Sequence, residues 1–225
     1  MDYQALQENA RRLLRRVEEL GEEAGHGVTL LAASKTRNKE EIRAVKEAGI
    51  SFFGENRADE LKKKDGEGAY EGAHLHFIGT FQSNKAKYLV GRAELIHSLS
   101  TESAAEAVEK EALKRGIRQK VLEEIHVGNE ATKSGVPLAG AEDFARYLQK
   151  FPHIDLRGFM CVPPVGEDPT PYFEAVAALY QRLGPVYGFD TLSMGMTHDY
   201  EKAIRAGANL VRIGTALFGE RNYPR

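Results

Sequence analysis

One strand–helix–strand unit is visible in residues 191–218, which read TLSMGMTHDYEKAIRAGANLVRIGTALF. Thr191–Met194 and Leu210–Phe218 are short apolar runs typical of buried strands, and Asp199–Ala206 between them has the pattern of a helix. Gly207 follows the predicted helix, and glycine commonly occupies the position just beyond a helix end. Because only a long crossover can join parallel neighbours, the segment predicts two parallel strands.

The same alternation extends back through the chain to residue 28. Eight strand–helix units in about 200 residues, with no linker between them, favour a closed (β/α)₈ barrel over an open doubly wound sheet. We therefore expect one α/β domain over residues 1–225, a TIM barrel with an extra N-terminal helix over residues 2–20 and a last helix that is short or absent. The six further predicted strands are Val28–Ser34, Ser51–Gly54, His74–Gly79, Leu95–Ser100, Lys120–Val127 and Ile154–Val162. The six further predicted helices are Lys39–Ala48, Ala58–Lys64, Ser83–Gly91, Glu102–Arg115, Leu138–Lys150 and Pro171–Leu183.

The composition excludes several classes of protein. With 31 Lys and Arg against 33 Asp and Glu, a net charge of −2 predicts neither a nucleic-acid partner nor a membrane partner. The single cysteine, Cys161, excludes an intramolecular disulfide and suits a reducing compartment. No apolar run approaches the length of a membrane span, and the N-terminus lacks the pattern of a signal peptide. We therefore expect a cytoplasmic protein. We expect no metal site, since the seven histidines show no metal-binding spacing.

A lysine follows the first predicted strand of the barrel. Side chains alternate along a strand, so Leu31, Ala33 and Lys35 share one face, which becomes polar toward the mouth of the barrel. A desolvated lysine at that mouth loses its charge readily and becomes a nucleophile toward aldehydes. The alternative is a solvated loop lysine in front of a helix.

The last two strands end in sequences suited to a phosphate. The loops after strands seven and eight of such barrels often bind phosphate through backbone N–H groups, and Gly195 and Gly214 would allow a close approach. The alternative is that these glycines only form turns and the nearby hydroxyls only cap helices. Arg212 shares the inward-facing parity of Gly214, and a buried charge there needs a phosphate, an acid or a ring nitrogen as partner. A lysine, a phosphate site and an inward arginine together suggest pyridoxal 5′-phosphate as the cofactor.

Eight stretches of the chain carry a direct resemblance to one family. Taken together and in this order they are specific, although no single one is. The stretches are Ala33-Ser34-Lys35-Thr36, Phe53-Gly54-Glu55-Asn56, His76-Phe77-Ile78-Gly79, Gln82-Ser83-Asn84-Lys85, Lys133-Ser134-Gly135, Arg157-Gly158-Phe159-Met160, Leu192-Ser193-Met194-Gly195-Met196 and Val211-Arg212-Ile213-Gly214-Thr215. The chain resembles the pyridoxal phosphate homeostasis protein family, the single-barrel relatives of the alanine racemase N-terminal domain.

The resemblance implies a role for each matched residue. Lys35 is expected to bind the cofactor as a Schiff base, Asn56 to lie close to its ring, and Arg212 to lie near the pyridine nitrogen. Lys133 is given no role. The implied phosphate contacts are Ser193, Gly195, Met196, Thr197, Gly214 and Thr215.

The resemblance also implies a function in intracellular vitamin B6 homeostasis. We expect a monomeric carrier or buffer of pyridoxal 5′-phosphate that contacts apoenzymes transiently and catalyses no reaction. Two alternatives stay open, a pyridoxal-phosphate-dependent amino acid (alanine) racemase and a cofactor-free isomerase or lyase of phosphate esters that uses Lys35. The racemase is disfavoured because racemases of the related fold carry a second domain after the barrel, whereas this sequence ends at Arg225.

Overall fold

The computed structural model describes residues 2–128 and 134–220, so Lys133 lies outside the described residues. Its strands are β1 (Thr29–Ala33), β2 (Phe52–Glu55), β3 (His74–Phe77), β4 (Leu95–Leu99), β5 (Gln119–His126), β6 (Val136–Pro137), β7 (Ile154–Cys161), β8 (Thr191–Ser193) and β9 (Leu210–Ile213). Its helices are α1 (Tyr3–Ala24), α2 (Lys39–Glu47), α3 (Ala58–Gly66), α4 (Ala86–Leu89), α5 (Glu102–Arg115), α6 (Ala141–Leu148), α7 (Thr170–Tyr187), α8 (Tyr200–Arg205) and α9 (Thr215–Phe218). Short 3₁₀ turns cover Ser83–Lys85 and Leu138–Gly140.

The sheet closes on itself. β1 pairs in parallel with both β2 and β9, and the sheet continues to β4 on one side and to β5 on the other. β4 and β5 then pair with each other in parallel, which completes an eight-stranded barrel within the described part of the chain. The two-residue β6 adds only a short pairing at the end of β5. The predicted (β/α)₈ barrel is confirmed.

Each barrel strand presents one face to the helices and one to the barrel interior. Leu30 and Ala32 of β1 belong to the large apolar core between the sheet and the helices. Leu95, Leu122 and Met160 form a separate small cluster, since their parity directs them into the barrel. Four polar residues are also buried on interior-facing positions: His76, His97, Ser193 and Arg212. The interior of this barrel is therefore partly polar, unlike the branched apolar filling typical of the fold.

The N-terminal helix packs where a full-length last helix would otherwise lie. Asp2 caps α1 by accepting from the backbone N–H groups of Gln4 and Ala5. From the body of α1, Asn9 Nδ2 donates to the carbonyl oxygens of Ala216 and Leu217 at 2.8 Å. The four-residue α9 is thus held by α1, as the prediction of a short last helix and an added N-terminal one requires.

Several predicted elements have different bounds in the structure, and the last strand and the helix Ser83–Gly91 are two clear cases. The last strand stops at Ile213 rather than Phe218, because Gly214 leaves the extended conformation and starts α9. The predicted helix Ser83–Gly91 divides into a 3₁₀ turn and the short α4. Within the described ranges, no helix is long and apolar enough to cross a membrane.

Candidate functional site

The carboxyl ends of four neighbouring strands carry all the predicted site residues. Because the barrel strands are parallel, these ends lie on one rim. The strand order places β8, β9, β1 and β2 side by side, so residues from opposite ends of the chain meet there. Lys35 follows β1, Asn56 follows β2, Ser193 ends β8 with Gly195, Met196 and Thr197 beyond it, and Arg212 lies in β9 before Gly214 and Thr215.

Lys35 lies at a strained point of the backbone. The residue is half-buried and is followed by Thr36, whose φ of 68° is in the left-handed region. That conformation is unfavourable for a β-branched residue, and such strain is concentrated at functional sites. The backbone N–H of Thr36 donates to Glu60 Oε1 at 2.6 Å, which holds the turn after β1 against α3.

A buried polar cluster supports this turn from the helix side of the sheet. Glu55 accepts from Lys64 Nζ at 2.7 Å, from Ser34 Oγ at 3.1 Å and from the Tyr70 hydroxyl. Lys64 Nζ also donates to the carbonyl oxygen of Ser34 at 2.9 Å. Burial raises the pKa of Glu55, while Lys64 opposes that rise. The cluster ties the end of β1 to the end of β2, and so sets the spacing between Lys35 and Asn56.

Asn56 presents an oxygen without a donor. Its Oδ1 is buried and meets no hydrogen-bond donor within residues 2–128 and 134–220. The loop after β3 packs directly on its backbone, because a Cβ at Gly79 would lie 1.9 Å from the Asn56 carbonyl oxygen. Only glycine permits this approach. A buried acceptor held in this way is suited to a ligand that brings a donor.

The loops after β8 and β9 are joined to each other. Gly195 has a φ of 88°, and any Cβ there would lie 2.6 Å from Ala203 Cβ. The Met196 N–H donates to Asp199 Oδ1 at 2.6 Å, and Thr197 Oγ1 accepts from the Ala216 N–H at 3.2 Å. Two of the groups predicted for phosphate binding therefore have protein partners, and the Thr197 hydroxyl helps to cap α9 as well.

Arg212 points into the barrel, as its parity predicts, and is only 5% exposed. Its Nη1 donates to the carbonyl oxygen and the Oγ of Ser193 at 2.8 and 2.6 Å, and its Nη2 donates to the Cys161 carbonyl oxygen at 3.0 Å. Burial lowers the pKa of Arg212. In the described part of the chain no carboxylate is hydrogen-bonded to this guanidinium, whose five N–H groups make these three hydrogen bonds.

The hydroxyl of Ser193, one of the expected phosphate contacts, points into the barrel. It accepts from Arg212 and lies 3.0 Å from His97 Nδ1, inside the barrel and fully buried. The reason is that Ser193 is still part of β8, whose alternation turns its side chain inward. Sequence reasoning missed His97 altogether, although its parity with Leu95 on β4 would have identified an inward-facing polar residue.

Cys161 and Lys85 are two further residues near this rim. Cys161 is buried, and burial raises the pKa of its thiol to about 12, so it is unreactive. Lys85 pairs with Asp59 through Nζ at 3.0 Å. No group of His, Cys, Asp or Glu suited to a metal ion occurs among the described residues.

Known sequences resemble this chain along nearly its whole length. The sequence profile of the alanine racemase N-terminal domain matches residues 1–222. A pyridoxal phosphate homeostasis protein of Aquifex aeolicus is 42% identical, over 96% of this chain and 98% of that protein. The protein of the same name from Escherichia coli K12 is 35% identical over 88% of both chains.

Solved structures agree with these relatives. A protein from Bifidobacterium adolescentis, described as unknown, has a TM-score of 0.89 at 32% identity and covers 96% of this chain and 95% of its own. PipY of Synechococcus elongatus, solved with PLP bound, has a TM-score of 0.83 at 27% identity, over 95% of this chain and all of PipY. An alanine racemase of Corynebacterium glutamicum is 16% identical, with a TM-score of 0.72 over 98% of this chain and 62% of its own, and shows the fold alone. The chain thus belongs to the family of pyridoxal phosphate homeostasis proteins, built on the alanine racemase N-terminal domain.

Proposed function

We propose that this chain binds pyridoxal 5′-phosphate as a Schiff base on Lys35 and acts in intracellular vitamin B6 homeostasis as a carrier or buffer, without catalysing a reaction. The observation that carries the proposal is Arg212. A buried guanidinium whose hydrogen bonds within residues 2–128 and 134–220 go to neutral oxygens, on the rim strand next to β1, is suited to an acceptor supplied by a ligand. The PLP-bound relative PipY and the names of the curated relatives support the choice of ligand.

The residues at the rim fit this cofactor in three respects. Lys35 offers a half-buried amine, and Asn56 Oδ1 offers a buried acceptor that meets no donor among the described residues. Arg212 offers N–H groups beyond those that its three protein contacts use. We assign the phosphate to the loops after β8 and β9, with Gly195, Met196, Thr197, Gly214 and Thr215 as contacts. Ser193 takes part through the strand end that it anchors, since its hydroxyl serves Arg212.

When bound, the cofactor supplies an aldehyde that condenses reversibly with a primary amine and releases one water molecule. Lys35 provides that amine, and the buried cluster behind β1 fixes the backbone on which it stands. Arg212 can only donate, so a pyridine nitrogen that meets it stays an unprotonated acceptor. Enzymes that use the ring as a strong electron sink commonly keep this nitrogen protonated with a carboxylate. The described residues around Arg212 include no hydrogen-bonded carboxylate of the kind that such enzymes use, which supports a role in storage.

Domain organisation, oligomeric state and cellular compartment also bear on a role as a carrier. We propose that residues 1–225 form one domain that acts as a cytoplasmic monomer and passes the cofactor to apoenzymes through transient contacts. A reversible Schiff base suits this role, because a carrier must release the cofactor unchanged.

Borohydride reduction of the loaded protein tests the assignment. Reduction fixes the cofactor on its lysine, and peptide mass mapping should find the added mass on the peptide that contains Lys35. Lys35→Ala should lose both the visible absorption and the label but keep its circular dichroism, because a side chain at the barrel mouth does not hold the core. Lys85→Ala, on the same rim, should keep both. Labelling of Lys85 or Lys133 instead would refute the role of Lys35.

A further inference from the structure

Four interior side chains form a continuous hydrogen-bonded line, here called the axial column: Arg212, Ser193, His97 and His76. Arg212 Nη1 donates to Ser193 Oγ at 2.6 Å, Ser193 Oγ lies 3.0 Å from His97 Nδ1, and His97 Nε2 lies 2.9 Å from His76 Nδ1. The four residues come from β9, β8, β4 and β3, and each is at most 5% exposed. The column crosses the barrel, because β8 and β9 lie on the opposite side of the closed sheet from β3 and β4.

The column ends at a cavity away from the rim. His76 lines a cavity of about 530 Å³ that the first residues of five strands surround, and this places it at the amino ends of the strands. Lys120, Arg157 and Asp190 also line the cavity, and each takes part in an ion pair with a neighbour. The column therefore connects the arginine of the rim with the opposite mouth of the barrel.

The hydrogen bonds of the column can run in only one direction if every donor is to be used. Arg212 is always a donor, so Ser193 Oγ accepts from it and must direct its own proton elsewhere. His97 Nδ1 is the acceptor within reach, which leaves the His97 proton on Nε2, where it donates to His76 Nδ1. The proton of His76 is then on Nε2, facing the cavity. Both histidines are assigned as neutral Nε2–H tautomers from the network.

The charges around the column keep it neutral. The pKa of His76 is lowered to about 4, chiefly by burial; Glu94 opposes this shift, and His74 and Lys120 contribute to it. Burial, His76 and Arg212 hold the pKa of His97 well below its usual range. A second positive charge would also repel Arg212. Glu124 and Asp199 act on Arg212 through their charge, but its hydrogen bonds among the described residues go to neutral oxygens, one of them at the end of this dipolar chain.

We propose that His97 and His76 are positioning residues that fix Ser193 as an acceptor for Arg212, and so aim the remaining N–H groups of Arg212 at the ring nitrogen of the bound cofactor. This inference rests on the proposed function for the identity of the ligand, but the column itself exists in the ligand-free chain. Without His97 the Ser193 hydroxyl would lose its acceptor and could rotate until its own proton faces the Arg212 N–H. The guanidinium would then lose its orientation while keeping its charge.

The ligand-free protein offers the first test. With ¹⁵N-labelled histidine, NMR should show His76 and His97 as neutral Nε2–H tautomers that do not titrate between about pH 5.5 and pH 8, whereas an exposed histidine should titrate in that range. A proton on Nδ1 of His97, or titration of His97 in this window, would overturn the direction of the column. This measurement needs no cofactor, so it stands even if the proposed function fails.

The second test measures whether Arg212 donates a hydrogen bond to the ring nitrogen of the cofactor. The wild-type protein should bind pyridoxal 5′-phosphate more tightly than its 1-deaza analogue, which has a carbon in place of the ring nitrogen. His97→Leu should reduce this preference by roughly five- to tenfold, the value of one well-aligned hydrogen bond, and His97→Gln, which keeps one acceptor and one donor, should restore most of it. His74→Leu is the matched control, because His74 lies on the same face of β3 as His76 but pairs with Glu94 outside the column.

The outcomes separate the two proposals. A wild-type protein that binds neither compound contradicts the proposed function, while the NMR result still decides the column. Equal binding of both compounds by wild type contradicts the contact between Arg212 and the nitrogen. If folded His97→Leu keeps the full wild-type preference, the positioning role of His97 is overturned.

Discussion

Lys64 Nζ lies 2.7 Å from Glu55 Oε1, and this buried ion pair stands directly behind the strand that carries Lys35. The same ammonium group donates to the Ser34 carbonyl oxygen, one residue before Lys35. One charge from α3 thus holds the ends of β1 and β2 together. The stability of the fold and the geometry of the site depend on the same contact.

Removal of Lys64 should destabilise the protein strongly. Lys64→Met leaves the Glu55 carboxylate buried without its cation, which typically costs about 3–5 kcal/mol. Urea unfolding followed by circular dichroism measures the loss. Lys63→Met changes an exposed lysine of the same helix and should cost little. Equal midpoints for the two variants would show that the ion pair contributes nothing.

The strained turn after Lys35 should be relieved by glycine. Thr36→Gly removes the Cβ that makes a φ of 68° unfavourable, and we expect a gain of about 1 kcal/mol in the free energy of unfolding. Thr36→Ala keeps a Cβ and should gain much less. Chemical denaturation of both variants decides the matter, and a glycine variant that is less stable than the alanine variant would contradict the strain.

Glu123 should make the protein less stable as the pH rises. Its side chain is fully buried, neither carboxyl oxygen meets a donor in the described residues, and burial raises its pKa to about 9. Between its ordinary pKa near 4.5 and about 9, the unfolded chain has lost this proton but the folded chain retains it. The free energy of unfolding therefore falls with increasing pH in that window, by up to about 1.4 kcal/mol per pH unit.

Glu123→Gln tests this dependence, because the amide mimics the neutral carboxyl and does not titrate. We expect the variant to be more stable than wild type at pH 8 and to lose the slope between pH 5 and pH 9. Unfolding free energies measured at several pH values provide the comparison. Parallel curves for the two proteins would mean that Glu123 is ionised in the fold.

The phosphate group should supply much of the affinity for the cofactor. Charge-assisted hydrogen bonds contribute about 1.5–3 kcal/mol each, so the loss of two or more should weaken binding at least about a hundredfold. Titration with pyridoxal, which lacks the phosphate, measures the difference. Gly214→Val should weaken binding of the phosphate ester more than that of pyridoxal, because a Cβ there would already contact Ala33 Cβ at 3.4 Å and the two methyl groups of valine would extend beyond it. Equal affinity for the two compounds would contradict the phosphate site.

The loaded protein should leave free amino acids unchanged. The proposed contact from Arg212 to the ring nitrogen would keep that nitrogen a poor electron sink, which disfavours loss of the Cα proton of a bound amino acid. Incubation with L-alanine in D₂O should give neither deuterium at Cα nor D-alanine, while an alanine racemase run in parallel gives both. Rapid exchange would overturn the proposal of a non-catalytic carrier and favour the racemase alternative.

Much of the architecture was predictable from local sequence. Strands and helices alternate in the order that the structure confirms, and the capping box of Asn38 and Glu41 at the start of α2 is present, with both hydrogen bonds at 2.8 Å. The inward parity of Arg212 is confirmed too. These features depend on side-chain alternation and on contacts within a few residues, and a sequence displays both directly.

Other features depend on contacts that no local pattern contains. The last strand ends at Ile213 because the chain turns at Gly214. Gly214 lies beside Ala33 of β1, which is 181 residues earlier in the sequence. His97 Nδ1 meets a serine hydroxyl 96 residues away, and only closure of the barrel brings the two together. By itself the sequence determined the order of strands and helices and the inward direction of Arg212. The tertiary structure alone decided which of them meet, because hydrogen-bond partners inside a barrel are chosen by strand order and register rather than by distance along the chain.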